Sequence, residues 1–113
     1  MEKIPKLRDE FWSNLRVTGN SNHFNQTLEH AGRVADFIDF GELMCQDALA
    51  REESCGCHLR EEYQTEENEA KRNDDEFAFV SVFEYKGDGQ QPELNKEALS
   101  FDAFPLATRN YKS

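Results

Sequence analysis

Phe77-Ala78-Phe79-Val80-Ser81-Val82-Phe83-Glu84-Tyr85 is the stretch on which the fold class turns. Phe77, Phe79, Ser81, Phe83 and Tyr85 lie on one side of a two-residue repeat, and Ala78, Val80, Val82 and Glu84 lie on the other. Aromatic and β-branched residues at that period specify a strand with two largely apolar faces. Gly87-Asp88-Gly89 follows as a turn and Pro92 falls in a loop. Leu99-Ser100-Phe101-Asp102-Ala103-Phe104 alternates again, more weakly, and is the expected second strand of a small β-hairpin. Residues 108–113 read as a polar tail.

Upstream of the strand the period changes from two to between three and four. Leu7, Phe11 and Leu15 recur after Pro5, which suits a first helical turn, so a short helix is expected over residues 6–16 with Trp12 widening its apolar face. Gly19-Asn20-Ser21-Asn22 interrupts the pattern and offers cap oxygens to the next helix. Phe24, Leu28, Ala31, Ala35, Ile38, Cys45 and Leu49 then form one stripe, and Val34, Phe37, Met44 and Ala48 form another beside it. A helix from about residue 22 to 53 would be roughly 45 Å long, too long for the first helix to cover. Either a kink at Gly41 folds it back on itself, or a neighbouring helix outside this chain covers it.

Between the helices and the strand lies most of the charge. The chain has 113 residues and a formal charge of −10. Of this, −6 falls within residues 51–76, which carry ten carboxylates against four basic side chains. Leu, Ile, Val and Phe make up only 24 of the residues, just above the level at which a chain this charged is expected to be disordered. The core is therefore thin, and the chain is expected to lean on something larger. The pattern specifies an α+β arrangement in a single domain: a partial helical bundle of a short and a long helix over residues 1–53, an acidic crossing segment over 54–76, and a small β-hairpin with a tail over 77–113.

The same charge excludes several partners. A pI near 4.7 without a Lys/Arg cluster cannot neutralise phosphates, and anionic lipid would repel it, so nucleic acid is excluded and direct membrane insertion is not expected. No apolar run is long enough to span a bilayer, and no signal peptide follows Met1. Three cysteines, two of them one residue apart, do not make a secreted disulfide framework and fit a reducing, cytoplasmic setting.

Chemistry is sparse. The six glycines form neither a dinucleotide fingerprint nor a phosphate-binding loop, and no H-E-x-x-H or G-x-S-x-G occurs. His23 and His30 read as helix-surface positions. The dense segment is Arg51-Glu52-Glu53-Ser54-Cys55-Gly56-Cys57-His58-Leu59-Arg60. Thiolates and imidazole are zinc ligands, but a single residue between the cysteines is shorter than zinc knuckles use, and Cys45 projects from a helix turns away. A Cys55–Cys57 redox pair also departs from the usual two-residue spacing. Arg51 and Arg60 have carboxylates within reach, and Asp74-Asp75 after Arg72-Asn73 could complete an ion-pair network at an interface.

The residues Ala48-Leu49-Ala50-Arg51-Glu52-Glu53-Ser54-Cys55-Gly56-Cys57-His58-Leu59-Arg60, continued by Arg72-Asn73-Asp74-Asp75-Glu76-Phe77, resemble a signature of the C-terminal domain of succinate dehydrogenase/fumarate reductase flavoproteins. That signature reads A-L-x-R-x-E-S-R-G-A-H-x-R, then R-D-D-x-x-W/F. The match is strongest over residues 28–86. Glu84-Tyr85-Lys86-Gly87 and the Arg109-x-Tyr111 ending look like the variant of anaerobic, Bacteroides-like bacteria. Cys55 stands where the signature has Arg and Cys57 where it has Ala, and an insertion separates Arg60 from Asp74.

The resemblance implies that this chain is a truncation of a larger flavoprotein that moves electrons between succinate and fumarate. FAD and the catalytic residues would belong to an upstream FAD-binding domain, and the partners would be that domain and an iron-sulfur subunit that relays electrons to a membrane anchor. Its place would be the cytoplasm or the cytoplasmic face of the inner membrane, reached through partner subunits. This chain would hold no catalytic, cofactor or metal site and would be inactive alone. Arg51, Glu53, Ser54, His58, Arg60, Asp74 and Asp75 would lie at the interdomain boundary, with Arg60 bonded to Asp74 or Asp75. The alternative from another class is a free-standing acidic interaction module binding a basic partner through residues 51–76; a small zinc-binding domain is a third.

Overall fold

The computed structural model describes residues 2–19 and 23–108. The elements run α1 (Lys3–Asn14), α2 (Gln26–Ala50), α3 (Asp74–Phe77), β1 (Phe79–Glu84) and β2 (Glu93–Ala98), an α+β arrangement of helices followed by a two-stranded sheet. The chain divides into two compact units, Met1–Ala50 and Arg51–Ser113.

In the first unit α1 begins three residues earlier than its apolar pattern suggests. Pro5 sits in its first turn, where a missing N–H costs no helical bond. The helix stops at Asn14 as Leu15 turns to extended backbone, its N–H still bonded to the Phe11 carbonyl at 3.0 Å. α2 starts at Gln26, because Asn25 makes the cap: its Oδ1 accepts from the Leu28 N–H at 3.2 Å, and its Nδ2 donates to the Thr18 carbonyl at 2.8 Å. The expected cap residues Asn20, Ser21 and Asn22 lie outside the described residues. Gly19 serves that cap, since it has φ 118° and a side chain there would strike the Asn25 amide.

α1 and α2 pack together through a different line from the one Leu7, Phe11 and Leu15 suggested. Ile4, Arg8 and Phe11 are half-buried, whereas Leu7 and Leu15 are exposed. Arg8 sets this rotation by bonding Asp39 Oδ1 at 2.7 Å and Glu42, which are three residues apart on α2. Two carboxylates keep the Arg8 guanidinium firmly protonated, Glu42 contributing most.

α2 is continuous through Gly41, so no kink folds it back. Its 25 residues span roughly 37 Å. Ala35, on the α1 side, is the one buried hydrophobic residue among those described, and Val34, Phe37, Phe40 and Met44 on the opposite face are exposed. The second apolar stripe therefore exists as read and has no cover within this unit.

In the second unit β1 pairs antiparallel with β2, from Phe79↔Ala98 to Glu84↔Glu93. The second strand is thus Glu93–Ala98 and not 99–104, which contribute only the Leu99 N–H bond to the Ala78 carbonyl at 2.9 Å. The reason lies in the loop over 85–92. Gly87 and Gly89 take φ 114° and 72°, and the chain returns opposite Glu84 after eight residues, which places the polar run Glu-Leu-Asn-Lys-Glu-Ala in register. That strand shows no apolar alternation because only Leu94 is partly covered; backbone pairing holds it. Glu84 and Glu93 face each other across the strands, a repulsive placement that Lys86 offsets by bonding both, at 2.9 and 2.5 Å.

Candidate functional site

A two-stranded hairpin is marginal in water unless something packs on it. Here that support is the acidic motif, which begins as α2 ends. Arg51 lays its guanidinium over the Phe79 ring at 4.9 Å and the Phe77 ring at 5.8 Å. Its Nη1 donates to the Phe77 carbonyl and its Nη2 to the Phe79 carbonyl, both at 3.1 Å. Residue Phe79 therefore has a cation on either side, since Lys96 Nζ lies 4.5 Å from the same ring.

Glu53 completes this arrangement from the inside. It is only 3% exposed, receives Arg51 Nη1 on Oε1 at 2.8 Å and accepts the Asn73 N–H on Oε2 at 2.9 Å. Ser54 is fully buried. Its N–H reaches the Lys71 carbonyl at 2.9 Å, while its hydroxyl accepts from the Arg60 N–H at 2.9 Å and donates back to the Arg60 carbonyl at 3.2 Å. The Glu53 carboxylate thus meets a guanidinium and the Asn73 backbone, and Ser54 meets the backbone of Lys71 and Arg60, so these buried polar groups are partnered as burial requires.

The Cys55–His58 turn closes the node. Cys55 and His58 exchange backbone bonds at 2.9 and 3.1 Å, with Gly56 between them at φ 61°. The His58 Nε2 lies 3.2 Å from the Arg51 carbonyl, which also accepts from Arg60 Nη1 at 3.3 Å. The Arg51 carbonyl is therefore covered by an imidazole and a guanidinium together.

Arg60 differs from expectation. The carboxylate it bonds is Glu62, through Nε at 2.8 Å and Nη2 at 2.5 Å, and its guanidinium lies 5.0 Å from the Tyr63 ring. Asp74 is instead held by Arg72 in a two-pronged pair, at 2.8 and 2.5 Å. Sequence proximity decides both pairings, since each partner stands two residues away and needs little chain closure. The Glu62 carboxylate is held below its usual range by its own backbone N–H and then by Arg60, and Arg72 is kept protonated chiefly by Asp74. Asp75 is exposed on α3.

The insertion between Arg60 and Asp74 folds on itself. Tyr63 accepts from Lys71 at 3.1 Å, Gln64 pairs with Ala70, Thr65 donates to Glu69 at 2.8 Å, and Asn68 takes φ 61° at the turn. An open cleft of about 470 Å³ flanks this loop, walled by Glu52, Tyr63, Lys71, Arg72, Asn73 and Asp74. Its charges are mixed, so it offers polar and ionic contact.

Of the seven residues singled out from the sequence, Arg51, Glu53, Ser54, His58 and Arg60 are brought into one network, while Asp74 sits beside it through Asn73 and Arg72. The sequence reading missed the carbonyl-covering role of His58, the Arg51 shelf on Phe77 and Phe79, and the Glu62 and Arg72 pairings. Spacing of two between opposite charges was the available signal for those last pairs. Among the described residues no group of three or more His, Cys, Asp or Glu could hold a metal ion, and no helix is long and apolar enough to cross a membrane.

A hairpin braced by an Arg-x-Glu-Ser network is the arrangement that the signature residues build. The chain belongs to the family described as the fumarate reductase flavoprotein C-terminal domain, whose family model matches residues 1–111. That family is the C-terminal part of flavoprotein oxidoreductases. No curated protein and no solved structure matches the chain.

Proposed function

We propose that this chain is the non-flavin, C-terminal support domain of a fumarate reductase/succinate dehydrogenase, bracing an FAD-binding domain and contributing to the docking of an iron-sulfur subunit during succinate/fumarate electron transfer. The family match over residues 1–111 carries this reading. The uncovered face of α2, with Phe37 67% and Met44 58% exposed, supports it, because apolar surface of that extent asks for a partner.

FAD itself belongs elsewhere in the parent protein. Its pyrophosphate takes a glycine-rich turn between a strand and a helix N-terminus. The first turn of α2 is instead capped by Asn25 and preceded by loop, and α3 is four residues long. The described residues do not fit that group, which supports a chain that is inactive alone and a motif that acts by holding shape. Arg51, Glu53, Ser54, His58, Arg60, Asp74 and Asp75 are the residues assigned to the interdomain boundary.

The experiment is to express the flavoprotein with and without Glu53→Ala and measure flavin content, iron-sulfur subunit retention and fumarate reduction by a viologen donor. Loss of all three with the chain present but loosened supports the reading. Full flavin content and full activity after removal of residues 51–113 would overturn it.

A further inference from the structure

The Cys55–His58 turn carries two thiols that its hydrogen bonds do not use. Cys55 and Cys57 are both free and exposed, one residue apart. The turn between them is fixed by its two backbone bonds and by Gly56 at φ 61°, and a side chain at Gly56 would meet open space, so the outer rim of the turn is accessible. Exposed thiols with a second thiol beside them are the ones that undergo exchange, whereas structural cysteines are buried and inert.

We propose that Cys55 and Cys57 form a thiol–disulfide exchange site at which a small-molecule disulfide such as oxidised glutathione converts the pair to a Cys55–Cys57 disulfide. One of the two cysteines, once deprotonated, attacks one sulfur of the disulfide, forming a mixed disulfide and releasing one thiolate. The other cysteine then loses its proton and attacks the protein-bound sulfur, releasing the second small thiol. Two electrons pass from the protein pair to the small disulfide, which leaves as two thiols. One intervening residue makes a small, strained ring, and strained exposed disulfides are the readily reduced ones, so the crosslink is reversible.

The test uses the full chain with Cys45→Ser, so that the third exposed thiol does not report. It is incubated in mixtures of oxidised and reduced glutathione, quenched in acid, alkylated and weighed intact. Both thiols should disappear together with loss of two hydrogens and no retained glutathione, and reduced glutathione should restore them. Cys57→Ser should trap glutathione on Cys55, and Cys55→Ser should trap it on Cys57, each as a stable mixed disulfide. Independent glutathione adducts on the two cysteines of the chain that carries both would overturn the proposal. Circular dichroism of each variant shows whether the fold is kept, and a folded chain that never loses the two hydrogens equally overturns it.

Discussion

Arg51 and Glu53 meet at 2.8 Å, and the pair ties β1, through the Phe79 carbonyl, to the residue before α3, through the Asn73 N–H. The pair is short in sequence but its outer contacts lie 20 to 28 residues away. With Glu53 removed, the guanidinium of Arg51 keeps its ring contacts and carbonyls but loses its counter-charge, and the Asn73 N–H loses its acceptor. Glu53→Ala should lower stability by roughly 3–5 kcal/mol, the range for breaking a buried pair. Urea unfolding of the 113-residue chain measures it, and a loss below about 1 kcal/mol, the level of an exposed pair, would show that the carboxylate is dispensable.

Ser54→Ala isolates the hydroxyl from the charge. The substitution leaves the Arg60 N–H without its acceptor in a fully buried position, and a stability loss of about 1–3 kcal/mol is expected. Ser54→Gly should cost more, adding backbone freedom to the same lost bond. An alanine variant as stable as the parent would mean that water replaces the hydroxyl.

Two glycines should respond to alanine in opposite directions. Gly56 has positive φ, so Gly56→Ala strains the backbone even though the space beyond is open, and it should destabilise by about 1–2 kcal/mol. Gly41 lies inside α2 with nothing near its Cβ position, so Gly41→Ala should stabilise the isolated chain by roughly 0.8–1 kcal/mol. If a neighbouring helix approaches that face closely, the same Gly41→Ala change should weaken assembly of the flavoprotein. Paired thermal melts of chain and flavoprotein read both signs.

Alkali should expose a third contact. The Tyr85 hydroxyl donates to Asp88, and that bond raises the phenol above its usual value near 10. A raised folded value means that the stabilisation is present below the unfolded value and is lost as pH rises through the folded one. Ultraviolet titration of the phenolate should show one tyrosine ionising late, and Asp88→Asn should bring it back. Lys86 is raised similarly by Glu93 and then Glu84, so the hairpin mouth should also loosen at high pH.

Acid acts through Glu62, whose carboxylate is held low by its backbone N–H and by Arg60. The contribution of that pair is present above the usual carboxylate range and fades as pH falls through the lower folded value. Nuclear magnetic resonance titration of the Glu62 carboxyl should therefore show a shifted midpoint in the parent and a smaller shift in Arg60→Ala.

The sequence revealed its strongly periodic parts. β1 announced itself through Phe79, Val80, Val82 and Phe83, and α2 through two stripes, one of them facing α1 at Ala35. The second strand was misplaced because Glu93–Ala98 is specified by register and not by its own side chains, so an apolar alternation at 99–104 outweighed it. The signature residues were legible as a group, but their geometry was not. Opposite charges were expected to meet across the insertion, whereas Arg60 and Arg72 each took the carboxylate two positions on. Glu53 and Ser54, which look like solvated loop residues in so acidic a context, are buried because backbone at Arg60 and over 71–73 converges on them, and that convergence has no local sequence mark.

The self-closed loop over 63–71 has a practical meaning. Its ladder, from Tyr63–Lys71 to Thr65–Glu69, is complete before the tip at Glu66 and Glu67 is reached, and both tip residues are exposed. Added length there charges its closure entropy to the loop alone, a term that grows only as the logarithm of length. A peptide tag or a fluorescent label grafted between Glu66 and Glu67, with Asn68 kept for its positive φ, is therefore a handle on this region that leaves the Arg-x-Glu-Ser node untouched.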